Sequence, residues 1–154
     1  MGAAWAVSIP LARRQRWVWD HWNRSHSTVE YYGLLTAGDV AYRVAFDTGS
    51  GNLVLPCGAY GCPEAAVSLV FGTGEVNGSY ASDVVCVAEL CAEMRLIAAR
   101  DMSQHPFQEA PFVGVLGLGL PALSEGANFS YLDHLAGIPR VFAAAALETM
   151  DSGR

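Results

Sequence analysis

The sequence contains no lysine, and only 16% of its residues are charged. Coiled coils and disordered tails need many more charged or polar residues, so both classes are excluded. Long apolar runs are missing as well, because the longest uncharged one, residues 110–123, is interrupted by prolines and glycines and is too short to cross a bilayer. With 154 residues, of which 52% are hydrophobic, the chain is predicted to be one folded domain without a membrane span.

Positive charge is concentrated at the start of the chain. The net charge is −6, yet residues 1–29 hold four arginines against one acid, Asp20. A short basic leader ahead of an acidic body is unlike a nucleic-acid-binding domain, so we expect no nucleic-acid partner. Two interpretations of the arginines stay open, namely pairing with the acidic body and simple solvation.

The four cysteines form two pairs of equal spacing, Cys57/Cys62 and Cys86/Cys91. Of the three possible connectivities, two short loops favour Cys57–Cys62 and Cys86–Cys91 in an oxidising compartment. The alternative is a four-cysteine zinc site, in which paired ligands are more often two residues apart.

Asparagine usage agrees with an oxidising compartment. Three of the four asparagines, Asn23, Asn77 and Asn128, begin Asn-X-Ser glycosylation sequons, which also favours a secretory protein. The first residues give no such support, since residues 1–11 lack a basic start, contain Pro10 and do not resemble a signal peptide.

Apolar runs joined by tight-turn residues predict an all-β fold. Tyr31–Ala37 and Val40–Phe46 flank Gly38-Asp39, which is typical of a hairpin tip. Val67–Phe71 and Gly78–Val87 flank a second tip that contains two glycines. The remaining predicted strands are Asn52–Leu55, Cys91–Ala99 and Phe112–Leu118.

Helix signals are few, so we expect one or two short helices. A helix is predicted from Asn128, as N-cap, to Ala136, with Gly137 as its stop. Residues 141–147 are ambiguous, because their alanines favour helix while Val141 and Phe142 favour strand.

The candidate chemistry lies at Asp47-Thr48-Gly49-Ser50. A carboxylate that directly follows a buried strand and precedes a glycine-rich turn is held rigidly, and here hydroxyl groups flank it. Taken alone, Asp-Thr-Gly more often marks only a turn.

Five ordered motifs around Asp47 resemble the N-terminal lobe of the pepsin-like aspartic endopeptidases, over about residues 30–147. They are Tyr31-Tyr32-Gly33; the segment Val44–Leu53 followed by Pro56; the Cys57/Cys62 loop; Phe71-Gly72-Thr73-Gly74 followed by Gly78 and Asp83-Val84-Val85; and Pro111-Phe112 followed by Gly114–Leu118. The resemblance implies a single N-terminal lobe of the pepsin-like fold.

The resemblance also implies residue roles. Asp47 would be one of two aspartates that share a proton and activate the attacking water, because two adjacent carboxylates cannot both ionise. Thr48, Gly49 and Ser50 would support it, with Ser50 hydrogen-bonding its outer oxygen and Thr48 locking the loop against the other lobe. The flap that closes over the substrate would contain Phe71, Gly72, Thr73 and Gly74.

The implied partners and location follow from the same family. The substrate would be a peptide or protein, with no cofactor and no metal. The location would be the secretory pathway, the extracellular space, or a lysosome or vacuole.

Several positions depart from the family pattern. Phe71 and Val54 stand where a hydrogen-bonded Tyr and Trp are usual, Val113 replaces an Asp, and the segment between Cys62 and Phe71 is short. No second lobe is recognisable, and Asp151-Ser152-Gly153 lacks the flanking strands of a second active-site motif.

Three interpretations therefore stay open. The chain is one lobe of a protease and inactive alone, or a homodimer in which each chain supplies Asp47, or a non-catalytic peptide-binding module. We divide it into a basic leader at 1–29, whose Ile9-Pro10-Leu11 resembles a prosegment start, the lobe at 30–147, and a tail at 148–154.

Overall fold

The computed structural model describes residues 7–19, 22–71 and 74–135. Within this part of the chain lie eight β-strands and one short α-helix, α1, at Tyr131–His134. The strands are β1 at Ala12–Trp19, β2 at Ser25–Ala37, β3 at Val40–Asp47, β4 at Leu53–Pro56, β5 at Val67–Phe71, β6 at Gly74–Val87, β7 at Leu90–Met102 and β8 at Gly114–Gly117. The predicted all-β class is confirmed.

The strands form one sheet in the order β1-β2-β3-β8-β4-β7-β6-β5. A further pairing between β2 and β6, at Thr36↔Cys86 and Ala37↔Val85, joins two strands that are distant in this order. The six strands from β2 to β6 consequently close into a ring, while β1 and β5 extend it as edges.

Two apolar clusters pack on opposite faces of the central strands. Because side chains alternate along a strand, Leu53 and Leu55 of β4 contribute to one cluster and Val54 to the other. On β7, Leu96 and Ala98 are likewise separated from Ile97. Burial on both faces explains why these strands appear in the sequence as continuous apolar runs.

Both predicted hairpins are present. The β2–β3 turn is Gly38-Asp39, with Ala37 paired to Val40, and Gly38 has a positive φ of 55°, which glycine adopts without steric cost. The second hairpin pairs Phe71 with Gly74, and its tip residues, Gly72 and Thr73, lie outside the described residues.

The β2 strand begins at Ser25, six positions before the predicted Tyr31, and its first eight residues pair with β1, from Trp19↔Ser25 to Ala12↔Tyr32. This hairpin crosses the expected boundary between leader and lobe at residues 29 and 30. Part of the basic leader is therefore ordered strand. Arg16 lies 3.5 Å from carboxylate oxygens of both Glu30 and Glu109, so this leader arginine pairs with the acidic body.

The predicted helix start at Asn128 is wrong. Residues Ala127–Phe129 form a 3₁₀ turn, and α1 begins only after Ser130, whose hydroxyl oxygen accepts a hydrogen bond from the Asp133 N–H at 3.4 Å. Phe129 is 3% exposed, and its burial turns the chain before the helix can begin. Ala136, residues 141–147 and Asp151-Ser152-Gly153 lie outside the described residues.

Glycines allow the chain to cross itself closely around β8. A Cβ atom at Gly114 would lie 2.3 Å from the Val54 carbonyl oxygen, and one at Gly117 would lie 2.5 Å from the Asn52 nitrogen. Both obstacles are backbone atoms of the segment that β8 contacts, so no side-chain movement relieves them. Residues without a Cβ are required at both positions.

The structure contains both predicted disulfides, Cys57–Cys62 and Cys86–Cys91, with Cα atoms 4.7 and 4.0 Å apart. The second joins directly opposite residues of the β6–β7 hairpin. No described cysteine is free, so the zinc alternative loses its ligands.

We predict that Gly114→Ala destabilises the protein by at least about 2 kcal/mol, since overpacking of a fixed core typically costs this much. Gly58→Ala is the matched control, because nothing lies within 4 Å of a Cβ at Gly58, and it should change stability by less than about 0.5 kcal/mol. Urea unfolding at constant m-value measures both. Equal effects of the two variants would contradict the crossing.

We predict that replacing Cys86 and Cys91 together by alanine lowers the free energy of unfolding by about 2 kcal/mol, the loop entropy that so short a closure removes from the unfolded chain. The same urea series measures this loss. Non-reducing peptide mapping should recover Cys57–Cys62 and Cys86–Cys91, and any other connectivity would contradict the fold.

Candidate active site

Asp47 is the last residue of β3 and is partly buried. Its backbone lies in the parallel β3–β8 pair, opposite Gly117, and its carbonyl oxygen accepts a hydrogen bond from the Leu118 N–H at 2.7 Å. The motif Gly114–Leu118 therefore lies beside Asp47 in the structure. The backbone that carries the carboxylate is fixed by strand pairing, although the residue begins a loop.

The loop after Asp47 is held against the end of β8. The Gly119 N–H donates to the Ser50 carbonyl oxygen at 2.7 Å, and the Gly117 N–H donates to the Asn52 carbonyl oxygen at 2.9 Å. A Cβ atom at Gly119 would lie 2.7 Å from the same Ser50 oxygen. The loop therefore lies in contact with a glycine-rich strand end that leaves it little freedom.

The orientation of the carboxylate is set within the loop itself. The Gly49 N–H donates to Asp47 Oδ1 at 2.9 Å, a contact between residues two positions apart that is typical of aspartate in turns. Gly49 thus supports the carboxylate through its backbone. The other carboxylate oxygen, Oδ2, is the one that such a contact leaves for other partners.

The two hydroxyl residues of the motif differ in environment. Thr48 is exposed, whereas Ser50 Oγ is buried and has no hydrogen-bond partner among the described residues. The hydrogen bond from Ser50 to Asp47 that the family resemblance implied is therefore not formed in this structure. A buried hydroxyl without a partner lowers the stability of the folded chain. The Ser50 hydroxyl is thus able to donate a hydrogen bond that it does not form here.

Asp47, Thr48, Gly49 and Ser50 line an open cleft of about 910 Å³. Its other lining residues come from distant elements, which are the β1–β2 hairpin, strand β5, the turn after β7 and the loop before α1. They include Val29, Glu30 and Tyr31; Leu69 and Val70; Phe107 and Phe112; and Leu123, Ser124 and Glu125. A volume of this size lies within the range of sites that bind organic ligands.

The loop at residues 121–125, on one side of the cleft, is anchored by a residue that the sequence did not single out. Asn52 is 5% exposed, and its Oδ1 accepts a hydrogen bond from the Glu125 N–H at 2.9 Å. The Tyr80 hydroxyl donates to Glu125 Oε2 at 2.9 Å, and this hydrogen bond raises the pKa of Tyr80. The sequence signal for Asn52 was its place directly before the buried strand β4.

The predicted flap is described only in part. Phe71 ends β5 opposite Gly74, which is buried at the start of β6, while Gly72 and Thr73 lie outside the described residues. Below this hairpin, Val54 is fully buried among apolar neighbours. Valine at position 54, where a hydrogen-bonding Trp is usual, therefore leaves no side-chain donor without a partner.

Residues 7–19, 22–71 and 74–135 contain no group of three or more His, Cys, Asp or Glu side chains placed to hold a metal ion. Over the same ranges, no helix is long and apolar enough to span a bilayer.

Known proteins of one family resemble this chain. The chain is 30% identical to renin-2 of Mus musculus over an alignment that covers 69% of this chain and 32% of the relative. It is 28% identical to pepsin-2B of Gadus morhua, covering 73% and 41%, and 26% identical to pregnancy-associated glycoprotein 2 of Bos taurus, covering 73% and 35%. The chain thus spans about a third of the length of the curated relatives it matches.

The eukaryotic aspartyl protease family matches residues 57–141, more than half of the chain. This match begins at Cys57 and covers the β5–β6 hairpin, β7 and β8, whereas Asp47 precedes it. On the strength of this match, supported by the fold, the chain belongs to the eukaryotic aspartyl protease family.

Proposed function

We propose that this chain is the N-terminal lobe of a pepsin-like aspartic endopeptidase and that Asp47 supplies one of the two carboxylates of its catalytic dyad. One observation carries the proposal. Asp47 is fixed between Gly117 and the Gly49 N–H, in a cleft beneath the hairpin whose arms are β5 and β6.

Hydrolysis of a peptide bond by such a site divides the proton transfers between two acids. One carboxylate accepts a proton from the attacking water, while its protonated partner donates a proton to the carbonyl oxygen of the substrate. Asp47 can perform either role but not both at once. The second carboxylate comes from outside the described residues, on a C-terminal lobe or a second copy of the chain.

The residues beside Asp47 gain their partners when the dyad is assembled. The buried Ser50 hydroxyl, which has no acceptor in the described structure, donates to the outer oxygen of Asp47. Exposed Thr48 contacts its counterpart on the second lobe or subunit. These roles would give the Ser50 and Thr48 hydroxyls hydrogen-bond partners that the lobe alone does not provide.

Substrate binding engages the hairpin above the cleft. The backbone of Phe71, Gly72, Thr73 and Gly74 closes over an extended peptide or protein substrate, which excludes water during the reaction. Leu69 and Val70 line the cleft beside this tip, and Val70 is 76% exposed. Apolar substrate side chains are therefore expected next to the flap.

The proposed location is the secretory pathway, with release to the extracellular space or delivery to a lysosome or vacuole. The two disulfides support it, because such bonds persist in oxidising compartments. No cofactor takes part in the proposed chemistry.

We predict that the monomeric 154-residue chain shows no measurable cleavage of an unfolded protein at acidic pH, because one carboxylate cannot serve as base and acid together. Size-exclusion fractions assayed immediately measure this. Any activity should appear only in a dimer fraction, should fall steeply on dilution, and should be abolished by Asp47→Asn. Asp39→Asn, an exposed carboxylate at the β2–β3 turn, is the matched control and should leave that activity unchanged.

Three outcomes of this assay separate the interpretations. Cleavage by a strictly monomeric fraction that Asp47→Asn abolishes would refute the two-carboxylate proposal. Cleavage insensitive to Asp47→Asn would show that Asp47 is not catalytic. Tight peptide binding without cleavage, in both monomer and dimer, would favour the non-catalytic module instead.

A further inference from the structure

The three glycosylation sequons of the chain lie in different structural settings. The transferring enzyme must reach both the asparagine amide and the hydroxyl two positions later, and a glycan fits the folded protein only where the asparagine lies at the surface, typically in a turn or loop. The structure describes the asparagine and the serine of each sequon, so the three sites can be compared by their exposure.

Asn77 lies inside a paired strand. It is bonded into β6 between Ser68 of β5 and Asp101 of β7, and its Nδ2 donates to Glu75 Oε1 at 3.3 Å. Its sequon partner Ser79 is only 7% exposed. The amide is therefore held in the sheet, and the hydroxyl of the sequon is buried.

Asn128 is exposed, but the rest of its sequon is not. Phe129 is 3% exposed and Ser130 is 2% exposed, and the Ser130 hydroxyl is occupied as the N-cap of α1. In the folded chain the hydroxyl that the reaction requires is buried under the helix.

Asn23 differs from both. It lies in the connection between β1 and β2, is exposed, and has a positive φ of 57°, so it occupies a turn conformation rather than a strand. Arg24 and Ser25 are exposed as well, and Ser25 is the first residue of β2. Amide and hydroxyl are therefore accessible together only at this sequon.

The β1 strand that precedes Asn23 ends in two exposed tryptophans. Its outward positions alternate with the half-buried Arg14 and Arg16, and the last two of them are Trp17 and Trp19, which are 69% and 66% exposed. Trp22, directly before Asn23, is 69% exposed. Large aromatic side chains grouped at one hairpin normally mark a surface that something covers.

We infer that Asn23 carries an N-linked glycan and that this glycan covers the tryptophan face of the β1–β2 hairpin. The position of the acceptor argues for this occupant, because Asn23 directly follows Trp22 and comes soon after Trp19 in the chain. A sugar ring presents apolar C–H groups to an aromatic face and hydroxyl groups to water, which suits an exposed indole.

The modification uses an oligosaccharide carried on a polyprenyl pyrophosphate. A bond forms between Asn23 Nδ2 and the anomeric carbon of the first sugar, and the bond from that carbon to the pyrophosphate oxygen breaks. The lipid pyrophosphate leaves with the electron pair, and the amide loses one proton to a carboxylate base of the transferring enzyme.

The first experiment measures which sequon is occupied. The full chain is produced behind a cleavable secretion signal in a eukaryotic host, and glycopeptides are mapped before and after peptide N-glycosidase. We expect highest occupancy at Asn23, with loss of that glycan in Asn23→Gln and in Ser25→Ala. Ser27→Ala, an exposed serine of the same strand outside the sequon, should retain it. An unmodified Asn23, or occupancy there no higher than at Asn77 or Asn128, would overturn the assignment.

The second experiment measures coverage of the indoles. Removal of the glycan should increase acrylamide quenching of tryptophan fluorescence, and W17F/W19F should reduce that increase to the part contributed by Trp22. An increase as large in W17F/W19F as in the parent chain, or no increase in the parent chain, would show that the glycan does not cover this face.

Discussion

The close crossing of the segment after Asp47 with strand β8 is the contact on which the rest of the site depends. Three backbone hydrogen bonds, from Gly117, Leu118 and Gly119, hold the residues between Asp47 and Asn52. Side chains larger than hydrogen at Gly117 or Gly119 would meet backbone atoms under 3 Å away. The position of the Asp47 carboxylate thus depends on the lack of side chains at Gly117 and Gly119, which lets the two backbone segments pack closely.

The same crossing also places the cleft. Because β8 pairs with β3 on one side and with β4 on the other, the chain on both sides of the Asp47 loop belongs to the core. Asn52 extends this support outward by accepting a hydrogen bond from the Glu125 N–H. Within the loop, Asp47 stays half-buried while Thr48 is exposed.

The sequence predicted the central strands and the first hairpin, because local residue patterns determine these elements. Alternating and continuous apolar runs located the central strands, and Gly38-Asp39 located a hairpin whose turn requires a positive φ. The extension of β2 back to Ser25 was missed, since its polar residues are stabilised by pairing with β1 and not by burial. Arg16 meets Glu109 from a remote part of the chain, and no local pattern reveals such a partner. The missing Ser50 hydrogen bond was equally hidden, because it depends on torsions within the loop.

The ring of six strands has a consequence for the order in which the chain acquires structure. Strand β8 inserts between β3 and β4 although it follows both of them, and β7, in sequence. Such non-local pairing forms late, since a long loop must close before any contact rewards it. During synthesis, β3 and β4 therefore cannot form their pairings with β8 until the residues of β8 leave the ribosome. The carboxylate site is among the last features to form, so a chain interrupted before Gly114 cannot present Asp47 in the paired geometry seen here.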